Sequence, residues 1–487
     1  MNTIASVSLS DSIQQPRYDR RALKTRIVHF GFGAFHRAHQ ALLTDRVLNA
    51  LGGDWGICEI SLFSGDKLMS ALRAQDHLYT VLEKGPEGNQ AIIVGAVKEC
   101  LNAKLDGLEA IIEKFCEPQV AIVSLTVTEK GYCIDPATGR LDTSNERIVH
   151  DLQNPLAPHS APGILVEALS RRHERGLRPF TVLSCDNIPD NGHVVRNAII
   201  GMAEKRSQQL ADWVREHVTF PSTMVDRIVP AATPESLREI TDALGVEDPC
   251  AISGEPFIQW VIEDNFVAGR PRWEEAGVEM VDDVMPWEQM KLRMLNGSHS
   301  FLAWLGYLAG YQHINECMAD ENFYRAAHRL MMQEQAPTLS VTGVDLRQYA
   351  DNLLARFSNP ALQHRTWQIA MDGSQKLPQR MLESVRWHLQ QGDEWPCLAL
   401  GIAGWMRYVS GVDDAGNAID VRDPLAQKIK GLVDNTAEKE RVAALLSLTE
   451  IFGSDLPADE RFVSRVSAAW DDLCSKGARR SVADLIG

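Results

Sequence analysis

The stretch Arg26-Ile-Val-His-Phe-Gly31-Phe-Gly33-Ala-Phe-His36-Arg-Ala-His39-Gln constrains the fold more than any other part of this chain. Ile27 to Phe30 is a short apolar run that reads as a strand. Gly31-x-Gly33 follows as a turn, and Ala38 to Leu48 reads as a helix. Strand, glycine turn and helix in this order form the opening unit of a doubly wound sheet that binds a dinucleotide. The first glycine permits the tight turn. The second lets the backbone approach a pyrophosphate seated on the positive helix N-terminus. The third glycine of the full pattern is absent, and His36 stands in its place. A plain structural turn is the competing reading. His36 and His39 also make an HxxH pair, but no Cys or Glu close by in the sequence completes a zinc set, so no metal is expected here.

Strand-like and helix-like segments alternate from Arg26 onward, after an irregular arm over residues 1–25. Gly56 to Phe63 reads as a second strand, and Tyr79–Leu82 with Ala91–Val94 as a hairpin pair. Leu108–Phe115 reads as a helix, Val120–Leu125 as a buried parallel strand, Pro162–Arg175 as a helix and Phe180–Ser184 as another buried strand. Such alternation predicts an α/β doubly wound sheet. Past about Pro286 strand-like runs become rare. Helical periodicity dominates Met290–Ala309, Glu321–Glu334, Leu346–Phe357, Pro378–Gln391 and Leu398–Val409. The expected division is a dinucleotide-binding domain over 1–284 and a mostly helical domain carrying substrate and catalytic groups over 285–487.

Composition bounds the function classes. With 487 residues the chain is long enough for two or three cores, and its 45% hydrophobic and 23% charged residues are those of a soluble globular protein. A net charge of −16 disfavours nucleic acid and anionic membrane as partners, while leaving room for a local cationic pocket around a small anion. Nine cysteines lie singly with no CxxC, which predicts structural thiols in a reducing, cytoplasmic setting. No signal-peptide core or membrane-length apolar run is present. Oligomeric state is not readable.

Three candidate strand ends are polar: Ser124 to Lys130, Ser184 to Asn191, and Met224 to Pro230. Ligands bind outside the carboxyl ends of a doubly wound sheet, although for Thr126, Asp190 and Asn191 taken alone turn and cap chemistry is the better explanation. Asp66 follows the second strand, where an acidic residue commonly binds ribose hydroxyls and selects NAD. It lies 35 residues after Gly31 rather than about 20. Lys67 beside it argues weakly for a 2′-phosphate, which the carboxylate would repel. The run Lys291-Leu-Arg-Met-Leu-Asn296-Gly-Ser-His299-Ser carries the chemistry. On an ideal α-helix Asn296 and His299 share a face, and Lys291 lies about 80° round the axis from His299. A lysine base, an amide donor and a histidine that positions a hydroxyl suit proton removal from an alcohol. A solvated face or an interhelical network is the plain alternative.

Taken together, the glycine segment, Ser124-Leu-Thr-Val-Thr-Glu129-x-Gly131-Tyr132, Cys185-Asp-Asn187, Met224-Val-Asp226-Arg227-Ile, Glu255 to Asp264, the Lys291–His299 run and Asp372-Gly-Ser-Gln-Lys376-x-Pro resemble the long-chain mannitol dehydrogenase family of polyol and sugar-acid dehydrogenases. The resemblance covers nearly the whole chain. It implies a Rossmann-like domain followed by a helical one, a metal-independent mechanism and NAD as cofactor. It implies cofactor contacts at Gly31, Phe32, Gly33, Phe35, His36, Arg37, Asp66 and Thr126. Lys291 becomes the general base, Asn187 and Asn296 an oxyanion hole, His299 an orienting group and Glu288 a proton path to solvent. Asp226 and Lys376 fall at substrate positions. Burial beside a cationic nicotinamide would bring the lysine down from its ordinary value of about 10.4 toward about 7–8. Within the family the wording is nearest to members that interconvert a keto-hexuronate (D-fructuronate) and a sugar acid (D-mannonate). A substrate carboxylate then needs a cation, and Arg365, Lys376 and Arg380 are the candidates. A mannitol- or arabinitol-type polyol dehydrogenase is the alternative. A non-catalytic nucleotide sensor is disfavoured because Lys291 is present.

Overall fold

Lys24–Phe30 forms strand β1. Val28 and Phe30 enter the apolar cluster on one side of it and Ile27 the cluster on the other, as the alternation of a strand buried on both faces requires. The structure, a computed structural model, describes residues 2–136 and 138–487. The chain forms two compact units, Met1–Met285 and Pro286–Gly487.

In the first unit four further strands lie parallel to β1: β2 (Trp55–Ser61), β3 (Val97–Asn102), β4 (Ile122–Leu125) and β5 (Thr181–Ser184). Their order is β3-β2-β1-β4-β5, five strands of the doubly wound 3-2-1-4-5-6 pattern. The order reverses at β1, so the crevice outside the carboxyl ends of β1 and β4 is the ligand position that the topology prescribes. Helices Gln40–Leu51, Asp66–Ala74, Leu108–Phe115 and Ala161–Glu174 fall between these strands along the chain. The expected hairpin forms as Tyr79–Gly85 with Gly88–Val94, and Ile252–Gly254 joins its edge. One sequence expectation needs correction. The Met224–Pro230 stretch does not end a strand of the parallel sheet: Thr223–Asp226 runs antiparallel to Gln259–Glu263 in a separate three-stranded sheet. The N-terminal arm is irregular, as expected, and is tied down: the Gln14 backbone pairs with Ala91 and Ile93, and Ile4 and Ile13 are buried.

The second unit has no strand among the described residues, and its core is built from helices. Gly297–Leu308 is buried on nearly every side and packs against Pro396–Val409 and Thr366–Ala370. The helix expected over Met290–Ala309 is three pieces: an α-helix Met285–Met290, a π-helical turn Lys291–Asn296, and the α-helix Gly297–Leu308. Two more π-helical turns occupy Leu330–Gln335 and Pro378–Leu382. No helix among the described residues is long and apolar enough to cross a membrane.

Candidate active site

The glycine turn leaves β1 at Gly31, whose φ of +103° favours glycine and whose added Cβ would stand 2.7 Å from the Thr126 carbonyl oxygen. That contact joins the ends of β1 and β4. Gly33 is exposed, has nothing within 4 Å of its Cβ position, and precedes helix Ala34–Ala38. The open space beside Gly33 leaves room for a ligand to approach this helix start, as a pyrophosphate cradle needs. The helix breaks at His39 and restarts at Gln40.

The side chains of this segment turn inward. His36 is buried: its ring stacks on His29 of β1 at 3.3 Å, and its Nε2 lies 2.7 Å from Glu59 Oε1 of β2. A third glycine would let helix and strand close up; here an imidazole stack fills that space. His29 continues the network, with Nδ1 at 2.7 Å from Ser124 Oγ and Nε2 at 2.9 Å from Thr126 Oγ1. Glu59, His29 and Ser124 are register partners on three adjacent strands. Burial pushes Glu59 up to about 8, and burial, with the Arg37 charge, brings His36 down to about 3. Both shifts favour the uncharged forms of the pair. Arg37 donates to the Cys250 carbonyl and His39 Nε2 lies 2.9 Å from the Gln259 carbonyl, so the two histidines of the HxxH pair diverge. The sequence reading changes in its details. Protein groups enclose the side chains of both His36 and Arg37. An acidic neighbour does stand beside His36, although Glu59 is 23 residues away in sequence. His29, Glu59 and His36 offer ligand atoms within 4.8 Å of one another, but both His29 nitrogens are already hydrogen-bonded. Phe32 is buried edge-on to Tyr79, and Phe35 stacks on His39.

At the neighbouring strand ends, the Asp186 carboxylate accepts from the N–H groups of Val127 and Thr128, both at 3.0 Å, and from the Tyr132 hydroxyl. It thereby ties the loop after β4 to the loop after β5. Asn187, next in sequence, is exposed. Asn191 is buried and bonds to the backbone of Ser184, Asp186 and Thr223, which makes it a structural bracket. Asp226 is buried at the end of its strand. Asp66 opens the helix after β2 and bonds to Lys104 at 2.9 Å, a partner that sequence reading missed.

In the second unit Glu288, Lys291, Asn296 and His299 are all buried. On an α-helix Lys291 and Asn296 would diverge by about 140°. The i→i+5 bonding of the π turn, seen in the Gly297 N–H to Leu292 carbonyl bond, brings residues five apart toward one side. The ideal-helix geometry expected for this run is corrected in that respect. The His299 ring stacks on Phe357 at 4.9 Å and meets the edge of His364 at 4.9 Å. Its Nε2 is buried and has no hydrogen-bond partner among the described residues. Burial, then His364, Arg380 and Lys376, hold His299 well below the usual imidazole range, so it is neutral and can bond to a hydroxyl.

Lys376 donates to the Ile369 carbonyl at 2.8 Å, and burial and the Arg380 charge bring it down to about 8. Arg380 donates through Nη1 to Ser300 Oγ at 2.9 Å and the Asn296 carbonyl at 3.3 Å; burial brings it down to about 10. Neither cation has a carboxylate within ion-pair distance among the described residues. Both side chains are half-buried, and two neighbouring cations with no carboxylate partner suit an anionic ligand. Arg365 is placed differently. It is exposed and lines a separate cavity of about 800 Å³ with Trp367, Asp413 and Asp420.

A doubly wound unit with a glycine cradle, joined in sequence to a helical unit bearing a buried lysine, amide and imidazole, defines a dehydrogenase. The chain belongs to the mannitol dehydrogenase family: residues 25–275 match the mannitol dehydrogenase Rossmann domain and residues 283–474 the mannitol dehydrogenase C-terminal domain. It is an oxidoreductase acting on secondary alcohols. It is 73% identical to the uncharacterized oxidoreductase YeiQ of Escherichia coli K12 over the full length of both chains. It is 57% identical to D-mannonate oxidoreductase of the same organism, again with 100% of both covered. Among solved structures, mannitol 2-dehydrogenase of Pseudomonas fluorescens, in a ternary complex with NAD and D-mannitol, is 37% identical with a TM-score of 0.86, covering 98% of this chain and 97% of that one.

Proposed function

We propose that this enzyme interconverts a keto-hexuronate, D-fructuronate, and the sugar acid D-mannonate with NAD(H) as cofactor. The observation that carries the sugar-acid reading is the pair Lys376 and Arg380, half-buried and without a carboxylate partner beside His299. The 57% identity to D-mannonate oxidoreductase supports it. Of the three basic candidates Lys376 is preferred, because Arg380 is partly engaged with the Asn296 backbone and Arg365 lines another cavity.

The first unit suits the cofactor. Gly31 makes the turn, Gly33 leaves the helix start open, Thr126 closes the adjoining strand end, and Asp66 stands where a ribose is recognised. When bound, NADH supplies the hydride. In the second unit Lys291 Nζ gives a proton to the carbonyl oxygen during reduction and removes it from the alcohol during oxidation. Asn296 donates its amide to that oxygen as negative charge develops, an interaction of about 3 kcal/mol by the measure of oxyanion-hole deletions. The second amide, Asn187, takes the same role. His299 Nε2 bonds to a neighbouring substrate hydroxyl, and Asp226 to another. Glu288, three residues before Lys291 on the helix, passes the proton toward solvent. The domain roles follow: cofactor on the first unit, proton transfer and carboxylate recognition on the second.

The deciding experiment is an NADH-oxidation screen over fructuronate, tagaturonate, fructose and xylulose, repeated with NADPH. Fructuronate should be reduced far faster than fructose, and NADH should be preferred. Better turnover of an uncharged ketose would replace the sugar-acid reading with a polyol dehydrogenase. Equal use of NADPH would remove Asp66 from its role.

A further inference from the structure

The segment Lys-Leu-Arg-Met-Leu-Asn at 291–296 consists mainly of good α-helix formers. Local preference therefore does not select its wider turn, and the register must be imposed from outside. Three contacts do so. Arg293 Nη1 donates to the Thr338 carbonyl at 2.7 Å and to Thr338 Oγ1 at 2.9 Å. Arg380 Nη1 reaches the Asn296 carbonyl. At Gly297 an added Cβ would lie 2.9 Å from both Gln335 Nε2 and the Arg380 carbonyl oxygen, so this helix start rests directly on an amide.

Gln335 connects all three. Its side chain is fully buried; Nε2 donates to the Arg380 carbonyl at 2.9 Å and Oε1 accepts from Ser384 Oγ. Its own carbonyl accepts from Thr338 Oγ1 at 2.7 Å. Gln335 ends one π turn, and the carbonyl it holds belongs to another.

We propose that Gln335 is a positioning residue whose amide locks the three π turns together, holding the register in which Lys291 and Asn296 project to the same side. The proposal rests on Lys291 being the acid/base. Only an amide serves here, since it donates to a carbonyl and accepts from a hydroxyl at once. Leucine would leave the Arg380 carbonyl and the Ser384 hydroxyl unsatisfied, and glutamate would offer the carbonyl no donor. The adjacent Glu334 supplies a control. Its carboxylate accepts from the N–H groups of Cys397 and Leu398, each at 2.8 Å, and so caps helix Pro396–Val409.

The test compares full-length Gln335→Leu, Gln335→Glu and Glu334→Gln. Three properties are read: thermal midpoint, deuterium uptake of peptides spanning 291–300, and the pH dependence of kcat for alcohol oxidation with NAD. The Gln335 variants should exchange faster over 291–300, lose up to about 100-fold in kcat through misplacement of the base, and shift the ionisation in the kcat profile. Glu334→Gln should lower the midpoint and move neither of the other two. Wild-type exchange and pH profile in a folded Gln335→Leu protein would overturn the proposal. So would equal changes in Glu334→Gln at a matched loss of midpoint. If Gln335→Leu does not fold, Thr338→Val, which removes the hydroxyl between Gln335 and Arg293, is read by the same criteria. If Lys291→Ala keeps the wild-type pH profile while the Gln335 variants still exchange faster, the base assignment fails and the clamp stands.

Discussion

Between Gly31 and His39 the protein turns its polar side chains inward and offers backbone; between Lys291 and His299 it distorts the backbone and gathers side chains. His36, Arg37 and His39 are all buried, held by Glu59 and by the carbonyls of Cys250 and Gln259. Lys291, Asn296 and His299 are buried too, but the π turn aligns the first two, and His299 Nε2 has no hydrogen-bond partner among the described residues. The difference follows the ligand. A pyrophosphate can be held by any row of N–H groups at a helix start, so side chains there are available as struts. Proton transfer needs one particular side chain within hydrogen-bond reach, so the backbone gives way instead.

The sharpest way to break this comparison is to remove the side chain that the second segment presents. Lys291→Ala should lower kcat by about 10²–10⁴-fold and leave NADH affinity, read by fluorescence titration, unchanged. Turnover near wild type would move the base to Glu288. Removing the neighbouring cation should have a smaller effect. Lys376→Ala should lower the preference for fructuronate over fructose by about 10–150-fold in kcat/KM. Because the Lys376 ammonium is brought down to about 8, its charge is lost as pH rises through that value. KM for fructuronate should therefore climb above pH 8 while KM for fructose stays flat; parallel curves would exclude Lys376.

In the first segment the backbone is the target. Gly31→Ala forces a φ of +103° on a residue with a Cβ 2.7 Å from a carbonyl oxygen, which should cost about 1–3 kcal/mol in thermal or urea unfolding. Gly33→Ala meets nothing within 4 Å and should keep that stability while weakening NADH binding. The opposite assignment would invert the roles of the two glycines. A last test is Glu59→Gln. The folded-state value of Glu59 is raised, from 4.5 to about 8. The folded protein therefore holds a proton that the unfolded chain releases, and stability falls as pH rises from about 4.5 to 8. Glutamine cannot ionise, so the variant should lose less stability than wild type between pH 5 and pH 8, as read by thermal midpoints. An unchanged slope would mean that Glu59 is ionised in the folded state.

Much of the fold was legible because burial leaves a period in the sequence. Leu108–Phe115 is helical at the expected residues, and Val28, Phe30, Val123 and Val182 lie in strands buried on both faces. The doubly wound class of the sheet followed from the glycine turn and the alternation of strands and helices, while the strand order came only with the structure. What was hidden depends on contacts between distant residues. Glu59 reads as one acid in an apolar strand, and His29 as a polar interruption; only strand register sets them side by side. The π turn is invisible for the same reason, since its local sequence favours an ordinary helix and its determinants lie at Gln335, Thr338 and Arg380. The residue types of the Lys291–His299 run suggested a chemistry, which remains a proposal. Whether Arg365 or Lys376 faces the catalytic helix was not legible, because both are basic residues in helical surroundings.

A π turn contains one residue more than a regular helix would use to cover the same rise. The catalytic segment can therefore be treated as a stretch of chain with a surplus of one. Deleting a single residue between Lys291 and Asn296 would not shorten the helix end to end so much as convert it to an unbroken α-helix. Residues before and after the deletion would keep nearly the same relative facing, because the wide turn already absorbs the extra residue. Glu288 and His299 lie on opposite sides of that count. A deletion here would therefore remove the wide turn between Lys291 and Asn296 while leaving Glu288 and His299 close to their present relation, whereas the same deletion in an unbroken helix would rotate the two ends by about 100°.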